Sequence, residues 1–390
     1  MRRSLLVVLV FSGCTGVAEL SLGSGGGLAA GGGAAGAGGG SAGAGGGVAG
    51  GGQGGGASGG GAGGGAAGGS GGGVTEPCAA VSCGSGAHCV APPAHCECNP
   101  GFVADAGTCL PGDPGIPALR SQEQVCAKYH EGMQTRTSDG FTVSATTCDQ
   151  GVLSRDAIDD ALTRLNMHRW LAGLGPTGDD ASDDDNAQKC ALVSAWNPAG
   201  PSAHSPQPSA TCYTPGGASG AGSSNIAWGC GTAAGAIDQW MIDSGNDTTF
   251  GHRRWLLNPP LGPVGIGLYQ GGNNYGSASC IVVFGSSGGG PNPGVIAYPP
   301  PGFIPVELAQ WTWTVQGTLP GGTLSATVTR ASDGAAQDVT LTMLQGSYGF
   351  SSALSLTRNG WSPVAGETYH VTISGTGTPI SYDVKPVHCL

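Results

Sequence analysis

Residues 21–73 contain almost nothing but glycine, alanine and serine. No other feature limits the fold as strongly, because this tract cannot join a core. Its side chains bury too little apolar area to offset the ordering of the backbone, so the composition predicts a disordered spacer. As a flexible coil of about 50 residues it spans on the order of 40 Å root-mean-square. Glycine makes up 78 of 390 residues, yet outside the tract enough ordinary sequence remains for two or three domains. GxGxxG matches inside the tract carry no nucleotide-binding meaning, since no strand precedes them and no helix follows.

Ahead of the spacer stand Met1-Arg2-Arg3, an apolar run at residues 5–11, and Ser12-Gly13-Cys14. A basic start, a short apolar core and small residues predict an export signal. The run is too short for a membrane span, which needs about 20 apolar residues. Phe11-Ser12-Gly13-Cys14 resembles a bacterial lipobox, with Phe11 where that family usually has Leu. The resemblance implies acylation of Cys14 and a membrane partner held through the lipid, each buried CH₂ adding about 0.8 kcal/mol. An ordinary cleavable signal, cut near Ala18, is the other reading. Residues 1–20 are assigned to the lipoprotein-type signal and 21–74 to the spacer.

A net charge of −11 excludes nucleic acid as a partner, which demands a basic footprint. Much of the acid sits at residues 179–185, where it reads as a solvated loop whose last acids favour the next helix; a calcium loop is the alternative. The 14 cysteines, in an exported chain, predict disulfides in an oxidising compartment. Six of them, Cys78, Cys83, Cys89, Cys96, Cys98 and Cys109, crowd together. Cys96-Glu97-Cys98-Asn99-Pro100-Gly101-Phe102 and Cys109 resemble the second half of an EGF-like domain. That resemblance implies Cys78–Cys89, Cys83–Cys96 and Cys98–Cys109 within a module at 75–112. Val74-Thr75-Glu76-Pro77 lacks the calcium-binding pattern, so no calcium is expected there.

Beyond a Pro-rich joint the composition becomes globular. Ser154 is a helix cap, and Ile158, Leu162 and Leu165 recur on one face until Gly173 and Gly175-Pro176 stop the helix. A second helix is expected from Asn186 through Trp196 and a third from Thr232. Strands are expected at 264–269 and 278–284. The segments Asn166-Met167-His168-Arg169-Trp170, Ala203-His204-Ser205, Ser224-Asn225-Ile226-Ala227-Trp228, Gly251-His252-Arg253-Arg254-Trp255 and Val264-Gly265-Ile266-Gly267 follow in order. Together they resemble the CAP superfamily of cysteine-rich secretory, antigen 5 and pathogenesis-related 1 proteins, in a bacterial extracellular style. The resemblance implies an α-β-α sandwich over 118–288, with a cleft at His204, Ser224, Asp243 and His252. Two histidines and Asp243 are a three-ligand set for a divalent metal such as zinc. Ser224 stands where the family has a second acid, and serine cannot serve as that base.

No hydrolase signature accompanies the cleft. His130-Glu131 is not HExxH, and Gly217-Ala218-Ser219-Gly220-Ala221 reads as a Gly-Ser loop rather than a nucleophile elbow. From about residue 294 to 390, short alternating runs predict an antiparallel β-sandwich, with Trp311 and Trp313 in its core rather than on a glycan-binding face. The expected fold class is therefore α+β and multidomain. Neighbouring cysteines suggest Cys126–Cys148, Cys190–Cys212 and Cys230–Cys280, leaving Cys389 over. The functional expectation is an exported surface protein, of the outer membrane or extracellular, whose CAP-like domain binds an unknown lipid, peptide or glycan without catalysis. The alternatives are a metal-dependent hydrolase using His204, His252 and Asp243, and a purely structural envelope protein.

Overall fold

The architecture comes from a computed structural model. It describes residues 117–390, except 137–139, 143–147, 198, 273–274 and 289–291, together with the backbones of five earlier strands. Those strands are β1 (Gly16–Ala18), β2 (Ala87–Val90), β3 (His95–Cys98), β4 (Phe102–Asp105) and β5 (Thr108–Pro111). β2 pairs with β3 and β4 with β5, both antiparallel. Cys14 and the side chains of the expected bridges Cys78–Cys89, Cys83–Cys96 and Cys98–Cys109 lie outside the described residues.

Helix α1 (Gln122–Met133) opens at Ser121, whose hydroxyl and the Gln124 side chain cap one another's backbone. After the short strands β6 (Phe141–Thr142) and β7 (Val152–Leu153) comes α2 (Arg155–Leu171), capped by Ser154 as expected. α3 (Ala181–Trp196) begins five residues earlier than Asn186. Asp180 accepts from the Ser182 and Asp183 amides, and Asp183 and Asp184 sit in the positive first turn. The acidic stretch is therefore a cap and the start of the helix rather than a loop before it. α4 (Pro215–Ser223) occupies the segment expected as a Gly-Ser loop. Thr214 caps it and Pro215 starts it. Its glycines allow closeness: a Cβ on Gly220 would lie 2.3 Å from the Asn186 carbonyl oxygen on α3.

β8 (Ser224–Trp228), α5 (Ala233–Ile242), α6 (Gly251–Leu256), β9 (Gly265–Gln270) and β10 (Ser277–Val282) complete this region. Its sheet runs β1-β8-β10-β9. Ala227, Ile266, Leu268 and Ile281 pack with α2 and α5, whereas Ile226, Trp228, Cys280 and Val282 pack with α3 and α4. This alternation buries both faces under helices. Gly265 and Gly267 let α3 settle on β9, since a Cβ would come within 2.1 Å and 2.3 Å of the helix backbone.

The rest of the chain forms two sheets. β11 (Val295–Tyr298), β13 (Trp313–Gly317), β17 (Ala353–Arg358) and β16 (Val339–Met343) make one, in that order. β12 (Gly302–Pro305), β19 (Ile380–Val387), β18 (Tyr369–Thr376), β14 (Gly321–Arg330) and β15 (Ala336–Gln337) make the other. α7 (Val306–Ala309) lies between β12 and β13. Trp313 is fully buried and Trp311, just before the strand, is half-buried against the same core. That core also takes Val125 of α1 and Met167 and Leu171 of α2, so the packing runs across the joint near residue 290.

The bridges differ from the expected pairs. Cys126 joins Cys389, Cys148 joins Cys212 and Cys190 joins Cys280. These replace the pairs of sequence neighbours Cys126–Cys148, Cys190–Cys212 and Cys230–Cys280. Space decides otherwise. α3 lies on β10, which sets Cys190 against Cys280, and α1 meets the end of β19, which sets Cys126 against Cys389. Cys230 is also disulfide-bonded, with none of these six. Among the described residues no helix is long and apolar enough to cross a membrane.

Candidate functional site

Four elements carry the expected cleft residues. His204 ends a short 3-10 helix, Pro201–His204, and is buried. Its Nδ1 lies 2.9 Å from the Ala221 carbonyl oxygen of α4. A carbonyl only accepts, so the proton sits on Nδ1 and Nε2 is the basic nitrogen. Ser224 begins β8, fully buried, with no hydrogen-bond partner for its hydroxyl among the described residues. Asp243 caps the C-terminus of α5 in the left-handed region, φ 58°. His252 lies in the first turn of α6.

The structure brings Asp243 and His252 together. Asp243 Oδ1 lies 2.7 Å from His252 Nδ1, and both side chains are fully buried. Asn246 Nδ2 donates to the same carboxylate oxygen at 2.7 Å, and the Arg253 amide donates to Oδ2 at 3.2 Å. Asn225 Nδ2 braces the other side by donating to the His252 carbonyl at 3.1 Å. Asp243 thus holds the imidazole with its proton on Nδ1 and its lone pair on Nε2. Asn246 and Asn225 were not expected from the sequence. Asn225 stood inside a matched segment, whereas nothing singled out Asn246.

The expected three-ligand metal set does not fit. Asp243 is spent on His252, Asn246 and the Arg253 amide, which places it behind the imidazole rather than beside it. Among the described residues no three His, Cys, Asp or Glu side chains stand close enough to hold a metal ion.

The remaining motif residues are structural. Arg253, fully buried, donates to the carbonyls of Met241, Ile242 and Thr312 and to the Thr314 hydroxyl. Burial pushes its guanidinium down to about 10, with Asp243 and Tyr298 opposing. Arg254 reaches the carbonyls of Gln345 and Phe350. Asn166 exchanges two 2.8 Å hydrogen bonds with the backbone of Thr177. Arg169 holds the carbonyls of Gly175, Leu256 and Asn258. His168 lies fully buried between Tyr298 Oη at 2.7 Å and Asp238 Oδ1 at 3.2 Å, and Asp238 pairs with Arg164. Desolvation holds His168 below its ordinary value, and burial lifts the Tyr298 phenol well above its own.

With this geometry in place, residues 162–284 match the family model described as CAP, the cysteine-rich secretory protein family. Over this stretch the chain is similar to that family. The match begins within α2 and ends just past β10, so it takes in His204, Ser224, Asp243 and His252. α1 and the two C-terminal sheets lie outside it. Among curated proteins none matches the chain.

Proposed function

We propose that the chain is an exported protein whose CAP domain is a non-catalytic binding module for an extracellular lipid, peptide or glycan. The carrying observation is the buried Asp243–His252 pair. It is braced on both sides by asparagine amides, and the second acid position is a serine whose hydroxyl has no partner among the described residues. Such a group holds shape; it offers no second carboxylate to activate a nucleophile. The three bridges between described residues support residence in an oxidising compartment. The paired backbones of β2–β3 and β4–β5 support an EGF-like module ahead of the CAP domain. The shared core of the two C-terminal sheets supports a β-sandwich after it.

The test is to incubate the purified full chain with ester, peptide and glycan substrates, with and without added zinc. In parallel, saturable binding to lipid vesicles, peptide libraries and glycan arrays is measured. Saturable binding to one class without product is the expected result. Turnover that disappears in His252→Ala overturns the proposal in favour of a hydrolase. Absence of binding to all three classes favours a purely structural protein.

A further inference from the structure

β1 lies antiparallel along β8, with Gly16 opposite Trp228, Val17 opposite Ala227 and Ala18 opposite Ile226. Two residues back from Gly16 is Cys14; two residues on from Trp228 is Cys230. Opposed residues of an antiparallel pair have Cα atoms about 4.5–5.5 Å apart. A disulfide needs about 4.4–6.8 Å. Cys230 is fixed at this end of the sheet. The Gly229 amide donates to the Ser277 carbonyl at 3.1 Å, and the Ser277 hydroxyl donates to the Cys230 carbonyl at 2.7 Å.

A second observation is independent of the register. Cys230 is fully buried and disulfide-bonded, and the other six cysteines from 126 onward pair among themselves. Its partner is therefore Cys14 or one of the six at 78–109. Those six form an even set that can close on itself, and losing one to Cys230 would strand another. In sequence Cys14 precedes Gly16 by the same two residues by which Cys230 follows Trp228, the residue opposite Gly16.

We propose that Cys14 and Cys230 form a disulfide that staples the N-terminal strand to the edge of β8. It forms by exchange with an oxidising dithiol–disulfide partner. The thiolate of one cysteine attacks that partner's disulfide to give a mixed disulfide, and the second cysteine's thiolate displaces it. The partner leaves as a dithiol with the two electrons and two protons lost by the cysteines. Three consequences follow. The Cys14 sulfur is not available for a thioether-linked lipid. Any cut of the signal falls before residue 14. And β1 closes the β8 edge to a strand from another molecule.

The test uses the full chain purified from a host that exports it. Digestion without reduction, followed by mass spectrometry, should yield one cross-linked pair containing Cys14 and Cys230. Reduction should separate it, each peptide gaining one hydrogen. An acylated Cys14, an N-terminus beginning after residue 14, or Cys230 linked to a cysteine of 78–109 each overturns the proposal. As a check that needs no folded variant, Cys14→Ser is denatured and its thiols titrated. One reactive thiol per chain is expected where the parent shows none; no reactive thiol refutes the bridge.

Discussion

Replacing Arg253 by methionine removes the guanidinium while keeping much of the side-chain volume. Two terms compete at this site. Pushing the group down to about 10 by burial corresponds to about 3 kcal/mol against the charged form. Against this stand four hydrogen bonds, to Met241 O at 2.5 Å, Thr312 O at 2.6 Å, Thr314 Oγ1 at 3.1 Å and Ile242 O at 3.2 Å. Bonds from a charged donor contribute about 1.5–3 kcal/mol each, so together they outweigh the desolvation. Methionine recovers the desolvation term but leaves the donor-side of three backbone carbonyls empty. The expected loss is at least about 3 kcal/mol. Urea unfolding of the full chain, followed by tryptophan fluorescence, measures it as a lower midpoint. Arg253→Lys should fall between, because an ammonium keeps the charge but lacks the planar fork that reaches both α5 and β13. A methionine variant within about 1 kcal/mol of the parent refutes the reasoning, and would mean that packing alone joins these elements, as in some buried ion sites.

Other outcomes follow from the same structure. Gly267→Ala should lower stability by at least about 2 kcal/mol, because the new Cβ would meet the Ala187 backbone at 2.3 Å; a thermal midpoint equal to the parent's contradicts this. Asp184 is raised by burial to about 6, so its contribution is full below its unfolded value and is lost as pH rises through about 6. With solvent screening this amounts to on the order of 1 kcal/mol, and Asp184→Asn, which keeps an acceptor for the Ile266 amide, should flatten that slope between pH 4 and 6. His168 has the opposite sign: desolvation depresses it, so stability present above about 6.5 declines as pH falls. In the Asp184→Asn background an unfolding midpoint that does not drop on acidification counts against this. Cys389→Ser opens a loop of 263 residues and should cost up to about 5 kcal/mol on chain-entropy grounds, read by the same urea assay; an unchanged midpoint speaks against a stabilising bridge.

What the residues announced in advance was local. Ser154, the Ile158–Leu162–Leu165 face and Gly173 marked α2 because cap, stripe and stop all lie within one helix. α4 was hidden, since six glycines and serines in its nine residues argue against a helix on propensity, and only packing against α3 repays them. The bridges were hidden for a related reason, because Cys126 and Cys389 meet only after every element between them has folded. In the cleft the residue types were legible but their roles were not. Asp243 was expected in the cleft as a ligand, and its left-handed position after α5 turns it onto His252 instead.

The Cys126–Cys389 bridge has a mechanical meaning. Cys126 lies in the first helix of the folded body and Cys389 two residues beyond β19. Tension applied between residues 117 and 390 passes from α1 to the last strand through one covalent link. The sheets and helices in between carry none of it. The cleft and its braced histidine therefore sit in a mechanically silent loop, and would keep their shape under a pull strong enough to peel apart an unbridged pair of sheets.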